Sequence, residues 1–170
     1  MFCVRAKALS LLVRVLLSKF AVIDPESDYG GLAHTVAVGT ETAAPLPGEA
    51  LKLLGEAKVN IVVCTQAMTI GARQAFLAVF LGETAALRRR TGRPHWLVVD
   101  EAHQVLPSGG EASLLVELDD LSPTVFVTLS PHLLSHRVLR SVGTVLALGP
   151  DAAAGLAVIA ARMGVAPPAD

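Results

Sequence analysis

The stretch His95-Trp96-Leu97-Val98-Val99-Asp100-Glu101-Ala102-His103 is an apolar run that stops abruptly at two adjacent carboxylates. Carboxylates placed where a buried strand emerges point to the carboxyl edge of a parallel sheet. Loops diverge there, helix N-termini point inward, and ligands bind. Hard divalent cations take oxygen ligands and usually keep several waters, so Asp100 is the candidate ligand for Mg²⁺. A base has only to come within hydrogen-bonding reach of the water it activates, which makes Glu101 the candidate for orienting and deprotonating an attacking water. An acidic pair in this place suits a bound nucleotide. The bland alternative is that Asp100 caps the helix after the strand and Glu101 favours that helix's positive end.

A second acidic stretch, Phe20-Ala21-Val22-Ile23-Asp24-Pro25-Glu26-Ser27-Asp28-Tyr29, reads as a strand running into a turn that Pro25 stops and fixes. Asp24, Glu26 and Asp28 can line the same sheet edge as Asp100, although acidic residues also populate ordinary turns. His95 and His103 flank the acidic pair, and His132 and His136 share a helix face at a spacing of four. Zinc sites generally need three or four convergent ligands. No His-Glu-x-x-His or paired-Cys pattern is present, so each histidine is better read as a surface or internally satisfied residue.

These residues need a scaffold, and the punctuation of the chain supplies one. Short aliphatic runs bounded by Gly, Pro, Asp or Asn fall at Phe20–Asp24, Thr35–Gly39, Val59–Cys64, Trp96–Asp100, Thr124–Leu129 and Thr144–Gly149, and read as buried strands. Segments with helical spacing lie between them, at Arg5–Ser18, Gly48–Glu56, Ile70–Arg90, Glu111–Asp120, Leu133–Ser141 and Asp151–Met163. Continuous apolar strands alternating with helices specify an α/β fold with a mostly parallel sheet flanked by helices. Residues 1–164 are expected to form one domain, with a loop around Pro45 and Pro47 and a frayed tail at 165–170.

Composition narrows the function classes. With 52% hydrophobic and 17% charged residues the chain is too apolar for a disordered one. A formal net charge of −1 gives no global attraction to nucleic acid, so charge does not support DNA as a partner. The basic cluster Arg88, Arg89, Arg90 and Arg93 reads as a solvated helix end. Cys3 and Cys64 suggest neither a disulfide scaffold nor a zinc site, and point to a reducing, cytoplasmic setting. Arg14 and Lys19 interrupt one long apolar segment, and Arg73 and Glu83 another, so neither is expected to span a membrane.

Taken together these stretches resemble the HerA/FtsK superfamily of P-loop ATPases, over most of the chain. Asp24 to Tyr29 looks like the acidic turn after the family's second strand. Trp96 to His103 looks like its Walker B strand, and Thr124 to His132 like the next strand, whose polar end senses the γ-phosphate. The resemblance implies ATP and Mg²⁺ as cofactors, with Asp100 at the metal and Glu101 and Thr128 as catalytic residues. Asp24, Glu26 and Ser130 would contact the nucleotide. It also implies a homo-oligomeric, hexameric ring in which an Arg reaches the neighbouring site, for which Arg137 and Arg140 are weak candidates beside a plain salt-bridging role. The nearest likeness is to a branch that carries a haloacid-dehalogenase-like phosphatase domain, but no Asp-x-Asp-x-Thr occurs in this sequence.

One departure from the family pattern dominates. A Walker A loop needs glycines whose amides cradle phosphates, then Lys and Ser or Thr. Upstream of Asp24 there is no Gly, and Ala6-Lys7-Ala8 offers a lone Lys. Arg5–Ser18 reads as a remnant of the first helix, with the first strand and phosphate loop absent. The expectation is weak or no ATP turnover. A non-catalytic α/β interaction module, or a fragment of such an ATPase, is the alternative. Asp100-Glu101-Ala102-His103 also spells the DEAH helicase box, but the Ser-Ala-Thr of those enzymes is absent and the next strand ends Val127-Thr128-Leu129-Ser130.

Overall fold

The computed structural model describes residues 19–109 and 123–166. Its centre is a five-stranded sheet of β1 (Phe20–Asp24), β2 (Thr35–Val38), β3 (Asn60–Cys64), β4 (Trp96–Val99) and β5 (Thr124–Phe126), in the order β2-β3-β1-β4-β5. Every pairing is parallel. The expected α/β architecture with a parallel sheet and flanking helices is therefore what the chain adopts. The helices are α1 (Pro47–Gly55), α2 (Ile70–Thr91), the short α3 (Ala102–Val105), α4 (His136–Ser141) and α5 (Ala152–Met163). A 3₁₀ turn, Pro131–Leu133, precedes α4.

Continuous apolar runs give strands buried on both faces, and β1 and β4 show it. Ala21, Ile23, Leu97 and Val99 pack with Leu54 of α1, with Phe76, Leu77 and Phe80 of α2, and with Val138 of α4. Val22, Val98, Val62 and Val125 pack on the other face with Tyr29 and Leu32. By length and composition α2 is apolar enough to cross a membrane. Its Phe76, Leu77, Phe80, Leu81, Ala85 and Leu87 are instead buried. Phe76 and Phe80 stack with ring centroids 5.7 Å apart. Thr69 caps the amino end of α2 through its hydroxyl, and Gly92 closes the carboxyl end at φ 65°. Gly39 is required where β2 ends. It sits at φ 77°, and a Cβ there would lie 2.6 Å from the Cys64 carbonyl oxygen.

The structure corrects several sequence boundaries. Thr144–Gly149 is not a strand of the sheet. Only Leu146 makes a bridge, and Leu146 and Leu148 are exposed, so an apolar run bounded by glycines has the composition of a strand without its ladder. β5 stops at Phe126 rather than Leu129, because the Thr128 hydroxyl accepts from the Ser130 amide and folds the chain away ahead of Pro131. The helix expected from Leu133 begins at His136. This separates His132, in the 3₁₀ turn, from His136 and removes their shared helix face. The expected helices 5–18 and 111–120 lie outside the described residues.

Candidate functional site at the carboxyl rim of the sheet

Because every strand is parallel, Asp24, Asp100, Glu101 and Thr128 all emerge at one edge. β1 and β4 are direct neighbours, and the Asp100 amide donates to the Ile23 carbonyl at 3.1 Å. The two acidic stretches singled out in the sequence therefore stand side by side.

Asp24 is fully buried, and its two oxygens accept from the amides of Asp28 at 3.1 Å and Tyr29 at 3.0 Å. It thus closes the turn that carries Glu26 and Tyr29. Burial raises its pKa, and the amide hydrogen bonds oppose that rise. Tyr29 is 4% exposed, and its hydroxyl donates to the Asp100 carboxylate. Asp100, 6% exposed, has its pKa pushed up to about 6, chiefly by burial. The Glu101 amide and Tyr29 hydrogen bonds work against the rise, and the charges of Glu101 and Asp24 add to it.

Glu101 occupies the left-handed region at φ 43°, ψ 44°. That conformation costs a side-chain-bearing residue on the order of 1 kcal/mol or more and concentrates at functional sites. It turns the chain from β4 directly into α3 and brings the Glu101 carboxylate to 3.1 Å from His103 Nδ1. Burial raises the Glu101 pKa, and Glu26 and Asp28 add to it, which makes the carboxylate a better proton acceptor. Thr128 is fully buried. Its Oγ1 stands 2.9 Å from His103 Nδ1 and accepts from the Ser130 amide at 3.0 Å. Ser130 is half-buried and Glu26 is exposed. Gln104 Nε2 reaches towards Glu26 at 3.5 Å, and Arg73 donates to the Gln104 side chain at 2.7 Å and to the carbonyls of Thr65, Met68 and Gln66.

All six residues expected from the sequence are thus on one rim, in different settings. Asp100 and Thr128 are buried, Glu101 is half-buried beside them, Asp24 organises a turn, and Glu26 and Ser130 lie outward. Tyr29, Arg73 and Gln104 were not found from the sequence. Tyr29 stands in the quoted acidic turn, but nothing in its spacing announces a hydrogen bond to a residue 71 positions on. Arg137 and Arg140 are exposed on α4. Arg88 leaves the expected basic cluster, because its guanidinium turns inward to the carbonyls of Pro94, His95 and Pro123.

Among the described residues no group of three or more His, Cys, Asp or Glu side chains is arranged to hold a metal. The donors present are hard oxygens around one buried carboxylate. They fit a magnesium ion that takes one or two carboxylates and completes its shell with water and phosphate oxygens, and do not fit an all-protein metal cage.

No family model and no curated protein matches this chain. Among solved structures, the chain is similar to the genome packaging NTPase B204 from Sulfolobus turreted icosahedral virus 2, determined in complex with ATPγS. The TM-score is 0.56 at 11% identity, over 88% of this chain and 70% of that one. At that identity the likeness establishes the fold alone.

Proposed function

We propose that this chain is a nucleotide-binding domain of the P-loop NTPase type, related to the HerA/FtsK ATPases, whose carboxyl rim keeps the magnesium and water side of an ATP site. The observation that carries the reading is Asp100, a buried carboxylate with a raised pKa beside Glu101 and the Asp24 turn, at the ligand-binding edge of an all-parallel sheet.

Asp100 would hold Mg²⁺, which when bound supplies charge neutralisation at phosphate oxygens. Glu101 orients and deprotonates the attacking water. Thr128 fixes the end of β5, and Ser130 and Glu26, at the more open part of the rim, would contact the nucleotide. Asp24 serves the nucleotide by holding the turn. The sequence holds no Gly-x-x-x-x-Gly-Lys-Ser, the motif whose amides cradle a triphosphate. Binding of MgATP is weak, and turnover by this chain alone is slow or absent. The ring assembly, the cytoplasmic setting and any DNA partner belong to the same proposal by resemblance, and the net charge of −1 gives DNA no support.

Phosphate release from labelled ATP tests the reading. The expected result is release near the background rate, indistinguishable in wild type and Glu101→Gln. Robust hydrolysis abolished by Glu101→Gln would show a complete site and overturn the account of the missing cradle.

A further inference from the structure

We propose that His103 is the positioning residue for Glu101: one imidazole N–H ties the Glu101 carboxylate to Thr128, so that the ends of β4 and β5 act as a unit. The inference rests on the reading of Glu101 as the water-orienting base and adds a residue to it.

The argument starts from one atom. His103 Nδ1 lies 2.9 Å from Thr128 Oγ1 and 3.1 Å from Glu101 Oε2. A neutral imidazole carries a single proton, and burial lowers the His103 pKa and so favours that neutral form. A bare Nδ1 would set its lone pair against the Glu101 carboxylate. With Glu101 ionised, the arrangement is favourable when Nδ1 carries the proton, hydrogen-bonded to Thr128 Oγ1 with the Glu101 carboxylate drawn beside it at 3.1 Å. The tautomer is therefore Nδ1–H, with Nε2 left as an acceptor.

The two acceptors are not equivalent. Thr128 is fully buried and held by the Ser130 amide, so it is the anchor. Glu101 sits on a left-handed backbone at the first step out of β4, and its side chain is 15% exposed, so it is the part that can swing. The tie sets where the base points, and it runs through the same threonine whose hydroxyl shapes the Ser130 turn. Displacement of Ser130 by a bound phosphate would reach Glu101 through Thr128 and His103.

The test is nuclear magnetic resonance on the whole chain without nucleotide, with ¹⁵N-histidine and side-chain ¹³C-glutamate labels. Wild-type His103 is expected in the Nδ1–H tautomer, and Glu101→Ala is expected to return it towards the Nε2–H form that prevails in solution. The Glu101 carboxyl carbon should shift in His103→Ala and return towards the wild-type position in His103→Asn, whose side-chain amide N–H replaces Nδ1–H. An Nε2–H tautomer in wild type, or a Glu101 signal indifferent to His103→Ala, would overturn the proposal. If His103→Ala does not fold, the tautomer in wild type and Glu101→Ala decides it. No reading involves nucleotide, so a failure to bind MgATP counts against the proposed function and leaves this result intact.

Discussion

The two ends of the sheet bury charge in opposite ways. At the amino end Lys19, 5% exposed, donates to the carbonyls of Glu56 and Val59. Arg88 donates to the carbonyls of Pro94, His95 and Pro123, and burial brings its pKa down to about 10. Each cation there donates to several loop carbonyls, so it fastens loops to the sheet, with Arg88 Nη1 left unpartnered. At the carboxyl end Asp24, Asp100 and Glu101 crowd one another. All three have raised pKa values, and one of them stands on strained backbone. Burial opposes charge at both ends, but at the amino end each cation donates to backbone carbonyls, whereas at the carboxyl end like charges face one another and one stands on strained backbone, the arrangement that marks a site.

The contrast fixes the sign of each substitution. Arg88→Ala removes the donor to the Pro94, His95 and Pro123 carbonyls and the packing of a half-buried side chain, and should lower stability by roughly 3 to 4 kcal/mol in urea titrations, the largest effect expected here. A loss under 1 kcal/mol would place Arg88 with the solvated arginines and blunt the comparison.

Asp100→Asn should do the opposite. The folded pKa of about 6 lies above the ordinary 3.8, so the folded chain favours the protonated acid. The stability this group contributes is present below pH 3.8 and is lost as pH rises through 6. Asparagine escapes that loss. The variant should be more stable than wild type by on the order of 3 kcal/mol at pH 7.5, with the gap closing by pH 3.5. A variant less stable at pH 7.5 would mean that Asp100 is a structural cap.

His95 belongs to the amino end, fully buried at φ 23° with Nε2 unpartnered. Burial lowers its pKa from 6.5. The stability it contributes is therefore present above pH 6.5 and is lost as pH falls through the folded value, at up to about 1.4 kcal/mol per pH unit. His95→Asn, which tolerates positive φ, should flatten the acid limb of the stability profile measured between pH 6.5 and 5. Glu101→Gly is the smallest case. Glycine fits the left-handed turn without strain and should add about 1 kcal/mol in the same titrations.

Much of this arrangement was legible in the sequence. Continuous apolar runs at Phe20–Asp24 and Trp96–Asp100 mark strands buried on both faces, and parallel pairing then forces their acidic ends to a common rim. The strand at Thr144–Gly149 was misread because composition reports burial preference, while a strand also needs a neighbour to form a ladder. The inward turn of Arg88 was missed because carbonyl acceptors leave no trace in a charge pattern. His103 was visible as a residue flanking the acids. Its tie to Thr128, 25 positions away, depends on β4 and β5 being neighbours, which local spacing does not encode.

Calorimetric titration of MgATPγS into the wild-type chain and Asp100→Asn addresses the central claim directly. A magnesium and nucleotide side without its cradle predicts weak binding that needs magnesium and disappears in Asp100→Asn. Absence of magnesium-dependent binding at millimolar nucleotide, or binding that Asp100→Asn leaves intact, would contradict it.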